Sequence, residues 1–175
     1  MFAGRKNGLP RWVTALAAAL GCAALAVQWG RNMAARCGAL RAWRRVLTRI
    51  EAGMSLYADL PSLLFFAAEG EENGEVAQEI FGCARHMRDD PSLPLAMAAA
   101  QLRAPSLHAA DRAALAPLWQ SLGSVCGEES RMTLKMVLRS VDECTRDAEE
   151  RQNRNRRLVG SIACIGSLTV FLFLL

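Results

Sequence analysis

RLVGSIACIGSLTVFLFLL, Arg157 to Leu175, closes the chain and carries no charge after its first residue. At the helical rise of about 1.5 Å per residue, the residues after Arg157 extend about 27 Å, close to the roughly 30 Å hydrocarbon thickness of a bilayer. The stretch therefore predicts a transmembrane helix over 158–175. Directly upstream, RQNRNRR places Arg151, Arg154, Arg156 and Arg157 within reach of phospholipid headgroups on the cytoplasmic side of such a helix. Further back, Leu134, Val137, Val141, Cys144 and Ala148 recur three or four apart, with no Gly or Pro from Glu128 until Gly160. That spacing predicts one helix running from Glu128 through the apolar end.

The other end has a related composition. After a short segment with Arg5, Lys6 and Arg11, Trp12 to Trp29 is almost wholly apolar, with a Trp at each edge where an interfacial aromatic would sit. Its length of about 17 residues, its closing Trp and the arginines after it favour an uncleaved transmembrane helix over a signal peptide. Arg31, Arg36, Arg41, Arg44 and Arg45 follow this run, against three basic residues before it, so the positive-inside rule makes the middle cytoplasmic. The expected organisation is a non-cytoplasmic N-terminus (1–11), a transmembrane helix (12–30), a cytoplasmic helical bundle (31–157) and a C-terminal transmembrane helix (158–175).

Between the ends the apolar residues keep helical spacing. Leu40, Trp43, Leu47, Ile50 and Met54 form one stripe, while Arg41, Arg45 and Arg49 line another face. Asp59 and Pro61 supply an N-cap and a first-turn proline for a helix that should stop near Gly70. Val76, Ile80, Ala84 and Met87 mark the next helix, and Asp90-Pro91 to Ala104-Pro105 brackets another around Leu95, Ala99 and Leu102. Asp111 is placed to cap a helix carrying Leu115, Leu118, Leu122 and Val125, with Pro117 predicting a kink or a later start. No strand alternation of useful length occurs. The expected fold is all-α, an antiparallel bundle of about six helices between two anchors.

The chemistry-bearing residues are sparse. Glu69, Glu71, Glu72 and Glu75 form an acidic cluster broken by Gly70, Asn73 and Gly74, a spacing that matches no calcium loop and reads as a solvated inter-helix turn. His86 and His108 stand apart from any nucleophile or ligand pattern, and no phosphate-cradling glycine loop is present. The six cysteines form no CxxC pair and read as reduced, buried thiols. Net charge is +4, but the basic residues gather beside the apolar ends, so lipid headgroups account for them as well as nucleic acid does. No enzyme, cofactor, metal, small-molecule substrate or nucleic acid is expected. The glutamates and the Arg41, Arg45 and Arg49 face are the candidate protein-docking patches; Trp12, Trp29 and the four arginines from 151 to 157 are the candidate membrane-interface residues.

The layout resembles the stage III sporulation protein AB family. The resemblance is carried by the short N-terminal span, RIEAGMSLYADLPSLLFFAA (Arg49–Ala68), LWQSLGSVCG (Leu118–Gly127) and the ending RLVGSIACIGSLTVFLFLL, and it covers nearly the whole chain in order. It implies a mother-cell protein of the outer forespore membrane, in the channel complex linking mother cell and forespore. It also implies a cytoplasmic domain similar to the helical F-family domain of type II secretion platforms. The implied partners are the AA-type secretion ATPase of the same system and its other stage III membrane proteins. A membrane-anchored adaptor, or a platform subunit of another secretion or pilus system, is the alternative expectation.

Overall fold

The computed structural model describes residues 11–57, 59–90, 94–100, 105–122 and 128–174, with side chains described over the same ranges except 11–20, 22, 23, 100, 128 and 159–174. The described residues are helical and contain no strand. The elements are α1 (Arg11–Gly53), α2 (Leu60–Ala68), α3 (Gly74–Asp89), α4 (Leu95–Ala100), α5 (Ala109–Leu122) and α6 (Glu128–Leu174). Two compact units divide the chain: Ala34–Glu150 is one, and Met1–Met33 with Arg151–Leu175 is the other.

The expected span 12–30 and the Leu40–Met54 stripe lie on one helix, since α1 is continuous over 43 residues. Gly30 and Gly38 each cost about 1 kcal/mol in a helix interior, which is less than the penalty of ending one helix and nucleating another. α6 is likewise one helix, of 47 residues, as the spacing predicts. Much of the expected spans 12–30 and 158–175 falls on residues whose side chains lie outside the described set. Among the described residues, no helix is long and apolar enough to cross a membrane.

The local signals between α1 and α3 work as chemistry requires. The Asp59 carboxylate accepts from Ser62 N–H and Pro61 occupies the first turn of α2. Glu69 N–H closes α2 on the Phe65 carbonyl, and Gly70 follows with φ +76°, the left-handed conformation that glycine adopts without steric penalty. α3 starts with Asn73 accepting from Val76 N–H.

The core of Ala34–Glu150 is drawn from the predicted stripes. Leu40, Trp43, Leu47 and Ile50 of α1, Leu63 and Leu64 of α2 and Val76, Ile80 and Ala84 of α3 are buried. So are Leu95 and Ala99 of α4, Leu115, Leu118 and Leu122 of α5, and Leu134, Val137, Val141 and Ala148 of α6. Trp43 and Trp119 meet edge to face with ring centroids 5.7 Å apart, a preferred arrangement of aromatic quadrupoles. Cys37 and Cys83 are buried free thiols, Cys83 pushed up to about 11 by burial. α5 continues through Pro117 to Leu122, so the later start that Pro117 suggests does not occur. Leu102 and Val125 lie outside the described residues.

Candidate docking surface

Each glutamate of the acidic turn has a different fate. Glu71, expected in a solvated turn, has a fully buried carboxylate. Arg45 reaches it twice, at 2.6 and 3.1 Å, Arg49 approaches to 3.9 Å, and Asn73 N–H donates to it at 3.1 Å. The reason is topological: α2 and α3 fold back beside α1, and the turn between them lands on the arginine face. Burial alone would raise the Glu71 pKa, but the Arg45 hydrogen bonds and the Asn73 N–H outweigh it and hold the group below its ordinary range. Glu75 accepts from the Ser106 hydroxyl and from Ser106 N–H, tying the start of α3 to the segment before α5. Glu69 and Glu72 are exposed.

The arginine face of α1 is equally engaged. Arg41 is bonded to Glu149 of α6 at 2.6 and 3.0 Å, and Arg44 pairs with Asp142 of α6 at 2.8 Å. Arg49 donates to the carbonyls of Ala67, Glu69 and Gly70, the free carbonyl end of α2, where a cation is favoured. Arg41, Arg44 and Arg45 keep about half of their side-chain surface in solvent while making these bonds. The two candidate patches thus hold the bundle together and still present charge outward.

The most buried polar contact escaped the sequence reading. Arg36 of α1 donates Nε and Nη2 to the two carboxylate oxygens of Asp111 at 2.8 and 2.7 Å. His108 N–H donates to the same carboxylate at 3.0 Å, so Asp111 acts from the first turn of α5 back onto the residue preceding the helix. It is not the N-cap residue expected from its type. Burial opposes its ionisation, yet Arg36 and the His108 N–H hold the Asp111 pKa below the ordinary range, and the Asp111 bond raises that of Arg36. Cys144 lies beside this pair, its thiol pushed up first by burial and then by Asp111. A signal was present: Arg36 lies on the same stripe as Leu40, Trp43 and Leu47, and Asp111 on that of Leu115, Leu118 and Leu122. A charge in an apolar register calls for a buried counter-charge.

A half-open cleft of about 380 Å³ lies among α1, α3, α4 and α5, with Trp43, Leu107, Leu115 and Trp119 as its main apolar lining and Glu79, Arg112 and Gln120 as polar lining. The Trp43 indole N–H beneath it is buried without a hydrogen-bond partner among the described residues. His86 and His108 are exposed, and no group of three or more His, Cys, Asp or Glu among the described residues could hold a metal ion. Of the membrane-interface candidates, the Trp12 side chain lies outside the described residues, whereas Trp29, Arg151, Arg154, Arg156 and Arg157 are exposed.

No curated protein and no solved structure matches this chain. The family model described as Stage III sporulation protein AB matches residues 11–175. The stretches that carried the resemblance all fall within these residues, and the chain belongs to the stage III sporulation protein AB family.

Proposed function

We propose that this chain is a non-enzymatic membrane platform subunit of a sporulation channel assembly, anchored in the mother-cell membrane that surrounds the forespore, and that its Ala34–Glu150 unit docks a cytosolic secretion-type ATPase. The observation that carries this reading is the continuity of α1 and α6 from a well-packed helical unit into the two apolar stretches of the sequence, the second of them preceded by the exposed Arg151, Arg154, Arg156 and Arg157. Arginine collars of this kind favour anionic headgroups. Such a subunit would couple a soluble binding surface to a bilayer and would need no chemistry of its own.

Exposed charge on a rigid frame suits docking. Arg41 and Arg45 are fixed by their ion pairs to α6 and to the α2–α3 turn, so little side-chain entropy remains to be lost on binding. Glu69 and Glu72 present carboxylates from the neighbouring turn, and the Trp43–Trp119 cleft could seat an apolar side chain of the partner. Capture of the cognate ATPase by the full chain in detergent tests the reading. Glu69→Arg with Glu72→Arg, or Arg41→Glu, should weaken capture about tenfold if charge steers the contact. Unaltered capture in both variants removes these patches from the interface, and no capture by the wild-type chain removes the ATPase as partner.

A further inference from the structure

Every Asp and Glu of the chain lies between Glu51 and Glu150, so both arms of the second compact unit, Met1–Met33 and Arg151–Leu175, carry cations and no carboxylate side chain. All seven side chains of RQNRNRR, Arg151–Arg157, can donate hydrogen bonds, and none is an acceptor alone. On α1, Gln28, Trp29, Arg31 and Asn32 are likewise donors, and all four are exposed. We propose that these donors form a binding surface for anionic phospholipid headgroups, whose phosphates supply the counter-charge that this unit lacks.

Protein counter-charge runs out at this level of the helices. Arg151, Arg154 and Arg157 recur three apart, a spacing at which like charges on a helix repel. Of the nearest carboxylates, Glu149 is bonded to Arg41, and Glu150, which is exposed, is the last acidic side chain of the sequence. Arg31, Arg154 and Arg156 make no ion pair with a described residue. A phosphodiester matches such a set, because its oxygens accept from the fork of a guanidinium and its charge relieves the repulsion along the row.

Exposed apolar side chains choose the source of that phosphate. Leu25, Val27, Trp29 and Leu158, which neighbour the donors in sequence, are each more than half exposed. A lipid phosphate brings hydrocarbon to cover them, and a nucleic-acid phosphate does not. The Trp29 indole suits this boundary, with an N–H for the headgroup and a ring for the acyl region. The lipid source rests on the membrane reading above; the donor pattern does not.

The test uses the full chain in phosphatidylcholine bilayer discs that hold a trace of pyrene-labelled phosphatidylglycerol or, separately, of pyrene-labelled phosphatidylcholine. Energy transfer from tryptophan reads which tracer gathers at the protein. The wild-type chain should gather the phosphatidylglycerol tracer on the order of tenfold more strongly than the phosphatidylcholine tracer. R154Q/R156Q should lose most of that preference, R154K/R156K should keep most of it, and high salt should weaken it. Both positions are exposed, so helical content should be unchanged. Equal gathering of the two tracers by the wild-type chain, or a full preference in R154Q/R156Q, overturns the proposal. A short DNA duplex that displaces the phosphatidylglycerol tracer overturns it in favour of nucleic-acid phosphate. If phosphatidylcholine vesicles fail to retain the chain on flotation, the anchoring and this proposal fall together. Retained chain with equal tracer signals removes the headgroup surface alone. ATPase capture enters none of these outcomes, so the docking reading stands or falls separately.

Discussion

Arg36 and Asp111, 75 positions apart, meet in a doubly hydrogen-bonded ion pair with side-chain exposures of only 5 % and 0 %. The pair joins α1 to the first turn of α5. A buried pair of this kind contributes little net stability relative to an apolar replacement, but it makes each partner indispensable to the other. Asp111→Ala should therefore destabilise the bundle by about 3–5 kcal/mol, by leaving a guanidinium buried without its counter-charge. R36M/D111L should cost less than either single change, as read from urea-induced loss of helical signal in the detergent-solubilised chain.

Glu71 and Glu72 are adjacent in sequence and differ in environment. Glu71→Gln removes the charge that Arg45 and Arg49 converge on, and should lower stability by about 1.5–3 kcal/mol. Glu72→Gln, at an exposed position, should stay within about 0.5 kcal/mol of wild type. Equal effects in the same urea titration would mean that the buried bond network of Glu71 is not formed.

Acid sensitivity follows from the same two carboxylates. Asp111 and Glu71 both have folded-state pKa values below their ordinary ones, so their contributions are fully present above the ordinary carboxylate range. They are lost as pH falls through the lowered folded values. Unfolding midpoints should hold between neutral pH and about pH 5 and then decline as pH drops below about 4. Asp111→Asn should flatten that decline while lowering the plateau.

Two glycines give opposite expectations for the same substitution. A Cβ on Gly53 would lie 2.5 Å from Leu63 Cδ1 and 3.2 Å from Phe66 Cδ1, where α1 ends against α2 and Leu63 is itself buried. Gly53→Ala should destabilise by about 1–3 kcal/mol through overpacking despite the better helix propensity. Gly82, inside α3, has nothing within 4 Å of such a Cβ, and Gly82→Ala should stabilise by about 0.5–1 kcal/mol. Thermal unfolding followed by circular dichroism reads both.

Helix identity and the buried faces were largely legible in the sequence, because the 3.6-residue period of apolar residues reports directly which side of a helix leaves water. Leu40 to Ile50, Val76 to Ala84, Leu115 to Leu122 and Leu134 to Ala148 all follow that period, and Asp59 and Gly70 mark their turns by cap and backbone chemistry. Continuity through Gly30 and Gly38 was not legible, since a glycine weakens a helix without ending it. Nor was the pairing of charges. Composition presents Glu71 and Arg45 as two solvated patches, and Arg36 and Asp111 as unrelated residues. Only the tertiary fold, by bringing α5, α6 and the α2–α3 turn against α1, decides which charge neutralises which, because that depends on distances between elements that no local spacing encodes.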